Sequence, residues 1–454
     1  MKYFYLLCFL LYNNISNAQL FDLIPLLENG SKDKRINLVI LGDGYTANEQ
    51  STFMTDATFV SDYLMNKQPY SNYKNYFNVY ALKVISLESG IKHPGTASDV
   101  TEPVIPISNP NNYLNTSYDN SGTHRCIYGS VNKVTQTLAT NMPEFDIALV
   151  LGNDTEYGGC GGTYAFLSRN EQAPDVAYHE LGHSFGKLAD EYWFSGSGES
   201  PNKTKTSDAE TIRWKNWLNT GSIGIYQFTE NTAWYRPHQN CEMRYLNKQF
   251  CNVCKETLIE KIHTVKNPID SFSPSNFATI STNQAVDLSV NLILPIPNTL
   301  KTEWKINNSS IVSDKSNITI QPSQLSIGTN NILFSVYDNT TIVKTNNHST
   351  IHLSTITWTI NKTQLGVSDI KSNEYNFTLY PNPSEDYIII ESKSILNEKI
   401  DLEILDSSGK LIKKQTINSS NQEKISTSKL NSQIYLINLY KNGERILSKK
   451  MIKN

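Results

Sequence analysis

The sequence predicts a multidomain protein: an α/β domain that carries the chemistry, followed by two all-β sandwich modules. Three observations predict it. Between residues 36 and 151, short apolar runs of strand length alternate with segments of helical periodicity. At Pro268 the composition changes: cysteine disappears, and Asn, Ser, Thr, Ile and Val dominate. Beyond that point β-prone runs recur with polar turns between them, the pattern of sandwiches. The chain has 454 residues, enough for several domains. Its net charge of −3 announces no basic face for nucleic acid. A hydrophobic content of 39% argues against wholesale disorder.

MKYFYLLCFLLYNNISNAQ opens with one charge at Lys2, an apolar stretch to Tyr12, and small residues at Ser16 and Ala18. This is the pattern of a signal peptide over residues 1–18, cut before Gln19. The apolar run is too short to span a membrane, and no later stretch reads as a transmembrane segment. Leu7 before Cys8 argues against a lipid anchor. Cys126, Cys160, Cys241, Cys251 and Cys254 remain, and in an exported protein they can form at most two bridges. Cys251 and Cys254 form a CxxC, but a zinc ribbon needs a second such pair and the sequence has none. Structural disulfides are the expectation, with the pairing open.

Residues 19–35 read as a polar lead-in. Ile36–Leu41 is a buried strand ending in the GDGYT turn, and a helix follows over residues 47–65. Tyr76–Ser86 is a second strand, 87–125 a long loop, and Val131, Val134 and Leu138 mark one helix face. Phe145–Leu151 is a third strand. Gly158–Gly162 precede another at Thr163–Ser168, where glycines would let a substrate backbone come close. The aromatic stretch 193–240 fits core packing better than a cleft lining. Lys255–Val265 closes the domain as a helix. Trp304 and Trp358 are the expected anchors of the first sandwich.

The chemistry lies in PDVAYHELGHSFGKLADEY, residues 174–192. His179 and His183 stand four apart, so a helix presents both on one face to one metal ion. Glu180 is turned about 100° from His179, beside the metal rather than on it, as a general base requires. Zinc suits two imidazoles with an open position, but it needs a third protein ligand. Gly186 can end the helix in a left-handed conformation and turn the chain back. The returning segment would bring Asp190 to the metal, with Glu191 as the fallback.

HELGHSFGKLADEY, with Gly42–Thr46, Cys241–Arg244 and Phe250–Cys254, resembles the IgA-peptidase-like secreted zinc metallopeptidases, a metzincin-related family. The resemblance covers residues 36 to about 265. It implies a metzincin-like α/β fold and one zinc ion on His179, His183 and Asp190. The general metzincin pattern places its third ligand at the position of Ala189, which cannot bind metal. The family resembled uses the Asp one step later. Met243 would be the methionine turn beneath the zinc, and Tyr245 falls where some metzincins hold a tyrosine. At the other end, Tyr380-Pro381-Asn382-Pro383, the Asp406–Gly409 turn and a lysine-rich finish resemble the C-terminal sorting domain of the type IX secretion system. That implies export through the periplasm to the outer surface or the medium.

The organisation expected is a signal peptide (1–18), a zinc metallopeptidase domain (19–267), an immunoglobulin-like sandwich (268–362), a linker (363–373) and a sorting domain (374–454). The function expected is a secreted zinc endopeptidase acting on protein or peptide substrates by zinc-activated water, with Glu180 as general base. Two rivals stand beside it: a surface adhesin or glycan-binding protein on a peptidase-like scaffold, and a zinc amidase acting on peptidoglycan. Residues 19–35 are too few to fold as an inhibitory prosegment, so activity on folding with zinc is expected.

Overall fold

The computed structural model describes residues 19–193, 198–363, 377–392, 399–417 and 422–454. The signal peptide and most of the 363–373 linker lie outside these residues. The chain forms two compact units. The first runs to Ile360 apart from Ser281–Asn283, and the second holds those three residues and Asn361–Asn454.

The first unit opens with β1 (Leu23–Leu27), β2 (Ile36–Asp43), α1 (Gln50–Asn66), β3 (Phe77–Leu82), α2 (Val131–Asn141), β4 (Ile147–Gly152), β5 (Gly159–Cys160), β6 (Ala165–Ser168) and α3 (Ala173–Ser184). Its six-stranded sheet has the order β1-β3-β2-β4-β6-β5. The inner strands are parallel and both edges, β1 and β5, are antiparallel. Alternation splits β2 between two cores. Ile36, Leu38 and Ile40 join Phe53, Leu64, Val176 and Leu181 on one face. Val39 and Leu41 join Val134 and Leu138 on the other. A sheet covered on both faces explains why β2, β3 and β4 are buried throughout.

The lead-in departs from the sequence reading. Leu23–Leu27 is not a polar tail but an edge strand of the six-stranded sheet. Pro25 disguises it, since proline argues against a strand everywhere except at an edge or a bulge. Both exceptions hold here, because the register shifts between Pro25 and Leu27. Residues 19–35 therefore belong to the domain itself.

A short ribbon, β7 (Tyr226–Gln227) with β8 (Tyr235–Arg236), precedes α4 (Asn252–Val265). Trp214 and Trp217 are buried in the main core. The sandwich follows: β9 (Ile269–Ser273), β10 (Ile280–Thr282), β11 (Val286–Leu292), β12 (Leu300–Ile306), β13 (Ser309–Ser313), β14 (Asn317–Ile320), β15 (Gly328–Asp338), helix α5 (His348–Ile351) and β16 (Ser354–Lys362). Its sheets, β10-β16-β15-β12-β13 and β14-β11-β9, share one core. Trp304 and Trp358 stack at its centre with ring centroids 5.5 Å apart. In the second unit, a three-stranded and a four-stranded antiparallel sheet enclose a core that includes Ile388, Leu402, Ile437 and Leu439.

The sandwich docks on α4 through polar groups. His263 Nε2 lies 3.0 Å from Asp338 Oδ2. Glu260 pairs with His348 Nδ1 at 2.5 Å and with His352 Nε2 at 2.8 Å. Burial works against a charge on His348, but Glu260, with Asp338 behind it, outweighs burial and raises its pKa. Glu260 is lowered by the same pairing, again against burial. The signs set the pH window. A raised histidine contributes fully below its ordinary 6.5 and loses that contribution as pH climbs through the folded value. A lowered glutamate contributes above 4.5 and loses it as pH falls through its folded value. His348→Ala should therefore cost thermal stability most between 4.5 and 6.5, and progressively less above. A cost that stays constant as pH rises would contradict this account of the docking.

Candidate metal centre

Helix α3 begins with Pro174 in its first turn, where no backbone donor is lost, and with Asp175 at its positive end. Asp175 accepts a hydrogen bond from Tyr63 Oη, and another from the backbone N–H of Asn247. The helix is thereby fixed to α1 and to the loop before α4. His179 and His183 lie one turn apart on it, with their Nε2 atoms 3.1 Å apart.

The return of the chain differs from expectation in one residue. The left-handed position is Lys187 (φ 55°), not Gly186. Gly186 is needed for space: a Cβ there would lie 2.8 Å from the Gly182 carbonyl oxygen and 2.9 Å from Leu258. Past Lys187, Asn202 clamps the chain. It donates to the Ala189 carbonyl at 2.7 Å and accepts from the Ala189 N–H at 2.8 Å. The next side chain, Asp190, then points back to the helix. Its Oδ1 lies 3.2 Å from both His179 Nε2 and His183 Nε2. Glu191 points the other way, toward Cys254, so the fallback ligand is not at this cluster.

These three atoms fit a tetrahedral cation. Nitrogen and oxygen ligands about 2.0–2.1 Å from one zinc ion stand about 3.3 Å apart. The opposite ring nitrogens are committed elsewhere. His179 Nδ1 donates to the Glu242 carbonyl at 3.0 Å, and His183 Nδ1 donates to the Leu188 carbonyl at 2.7 Å. A carbonyl only accepts, so each Nδ1 carries the proton and each Nε2 can offer a lone pair. Burial opposes ionisation of Asp190, but the two imidazoles outweigh it and hold the carboxyl well below its usual range. Burial likewise opposes a proton on His183, yet Asp190 raises it to about 9. A divalent cation would take the place of those protons.

Glu180 sits beside the cluster. Its Oε2 is buried without a hydrogen-bond partner among the described residues. Burial pushes its pKa up, while His179 and His183 pull it down. A Cβ on Gly161 would come within 2.2 Å of that oxygen, so a side chain there would displace the Glu180 carboxylate. Beneath the helix, Met243 Sδ packs where a Cβ on Gly182 would lie, 2.5 Å away. The Met243 carbonyl accepts the Glu191 N–H at 2.7 Å. The turn at 241–244 thus touches the histidine helix and the segment that carries Asp190 at once.

A cleft of about 890 Å³ opens over these groups, lined among others by Gly159–Gly162, Arg125, Tyr157, Tyr192 and Tyr245. A disulfide, Cys126–Cys160, ties its β5 wall to the loop at 120–129. It is the one bridge among the described residues; Cys241, Cys251 and Cys254 are free thiols. Sequence reasoning missed Asn202, Arg125 and Tyr192. Burial first, and then the Asp190 carboxylate, push the Tyr192 phenol up, so it keeps its proton. Tyr245 lines the same cleft and stacks on Arg244.

Residues 24–225 match the family model described as IgA Peptidase M64, so the class is a peptidase-family domain. Residues 378–454 match the secretion system C-terminal sorting domain, which directs the chain through the type IX system to the cell surface or beyond. Among the described residues no helix is long and apolar enough to cross a membrane. No curated protein matches the chain. Solved structures resemble it only distantly. A β-glucuronidase from Parabacteroides merdae is 10% identical over 46% of this chain and 28% of its own, with a TM-score of 0.16. A two-domain fibronectin type III segment of chicken tenascin is 14% identical over 41% of this chain and 98% of its own, with a TM-score of 0.15. This chain therefore spans 28% of the length of the glucuronidase it matches.

Proposed function

We propose that the first domain is a metzincin-like zinc endopeptidase. It would hold one zinc ion through His179, His183 and Asp190 and cleave extracellular proteins or peptides. The observation that carries this reading is the pairing of three converging ligand atoms with the unpartnered, buried Glu180 Oε2 beside them. When bound, zinc supplies a Lewis acid that polarises a carbonyl and lowers the pKa of water to about 7.

The rest falls to the chain. Glu180, desolvated and facing the cleft, takes the proton from the attacking water and passes it to the leaving nitrogen. Burial raises its pKa, which makes it a better acceptor for that proton. Tyr192 keeps its phenol proton beside Asp190 and can donate it as a hydrogen bond to the developing oxyanion. Gly159, Gly161 and Gly162 on the cleft wall suit the close approach of an extended peptide backbone.

The adhesin reading leaves Glu180 without a purpose. An unpartnered buried carboxylate costs stability, and a scaffold would gain nothing from it. Elemental analysis combined with casein hydrolysis separates the readings. The full chain should carry zinc and release peptides from casein. Bound zinc with no hydrolysis of any protein or peptide would favour a binding protein, and release of cell-wall fragments instead would favour the amidase.

A further inference from the structure

On the far side of the ligand loop lie four more groups with ligand chemistry: Glu191, Cys241, Cys251 and Cys254, all buried. They come from three separate segments. Glu191 follows Asp190, Cys241 opens the turn under the histidine helix, and Cys251 and Cys254 begin α4. Cys254 Sγ lies 3.7 Å from Cys241 Sγ, 3.6 Å from Cys251 Sγ and 3.4 Å from Glu191 Oε1. Glu191 Oε2 is buried without a hydrogen-bond partner among the described residues.

These spacings can be tested against three arrangements. A disulfide needs its sulfurs about 2.05 Å apart, and both S–S separations here are far longer. A merely packed thiol cluster would not draw in a carboxylate, since a buried acid with a spare oxygen is costly. A tetrahedral zinc with Zn–S of about 2.3 Å and Zn–O of about 2.0 Å would space its sulfurs by about 3.8 Å and sulfur from oxygen by about 3.5 Å. The observed values fall close to the third arrangement.

We infer that Cys241, Cys251, Cys254 and Glu191 form a second, structural zinc site, distinct from the one on His179, His183 and Asp190. Its surroundings suit an anionic ligand set. Cys251 stands at the N-terminus of α4, where the helix dipole favours thiolates. The Cys251 N–H donates to Cys241 Sγ at 3.3 Å. All four positions are closed to solvent, with no place left for a substrate, as in structural sites generally. The site also explains an arithmetic oddity. Once Cys126 and Cys160 pair, three thiols remain among the described residues, an odd number that disulfides among them alone cannot protect.

The position of the site gives it a role. Glu191 adjoins Asp190, and Cys241 lies two residues before Met243. A cation joining them to α4 would fix the ligand loop and the turn beneath the histidines to one helix. The three cysteines lie beyond residue 225, where the peptidase-family match ends.

The test uses the full exported chain and two measurements. Elemental analysis should find two zinc ions per chain in the wild type. It should find one in the His179→Ala, His183→Ala double variant, where any metal left must sit elsewhere. That double variant loaded with cobalt should show near-ultraviolet thiolate-to-metal charge transfer, lost in Cys254→Ser. A wild type with one zinc and a double variant with none would overturn the inference. A Cys251–Cys254 or Cys241–Cys254 disulfide in non-reduced peptide maps would overturn it too. The reading stands apart from the peptidase assignment: a single zinc that survives the double variant and carries the thiolate signature supports this site and removes the other.

Discussion

Glu180→Gln should lower turnover by roughly 10²–10⁴-fold, the usual contribution of a positioned general base. Zinc content should not change, because Glu180 is not among the three converging ligands. The amide keeps nearly the same shape, so it fits under Gly161, but it cannot take a proton. The substitution also relieves burial of an acid whose pKa is already pushed up, so stability should hold or rise. A variant within about tenfold of wild type would show that another group takes the proton.

Asp190→Ala should lose the zinc held by His179 and His183, one of the two expected per chain, as well as the activity. Two imidazoles on one helix are an incomplete zinc site. Loss of only an outer partner of a ligand costs about 10–100-fold in affinity, and removal of the ligand itself should exceed that. Glu191 cannot substitute. Its carboxylate faces Cys254 and Asn202, and its backbone N–H is held by the Met243 carbonyl. Full zinc retention in Asp190→Ala would move the third ligand elsewhere. The comparison also reports on geometry: Asn202→Ala leaves every ligand atom in place but frees Ala189, so it should weaken zinc without abolishing it.

Much of this site was legible because its information is local. His179 and His183 stand four apart, which on any helix gives one face, and Asp190 follows within one tight turn. What stayed hidden depends on distant residues. That Lys187 rather than Gly186 takes the left-handed position follows from Leu258 and the Gly182 carbonyl, which crowd Gly186 from outside its own segment. Asn202 is one polar residue in a loop until its amide is seen to pair with Ala189. The β1 strand was masked by Pro25, whose usual meaning reverses at a sheet edge. The thiol cluster was hidden most completely. The CxxC lacked a second pair in sequence, and its partners, Cys241 and Glu191, arrive from two other segments.

The central claim is that the first domain cleaves peptide bonds with zinc at His179, His183 and Asp190. The most direct measurement is digestion of a peptide library by the full chain, before chelation, after it, and with zinc restored. Internal cleavages that vanish with the chelator and return with zinc are the predicted result. Cleavage unaffected by chelation, or none from the zinc-loaded protein, would contradict it.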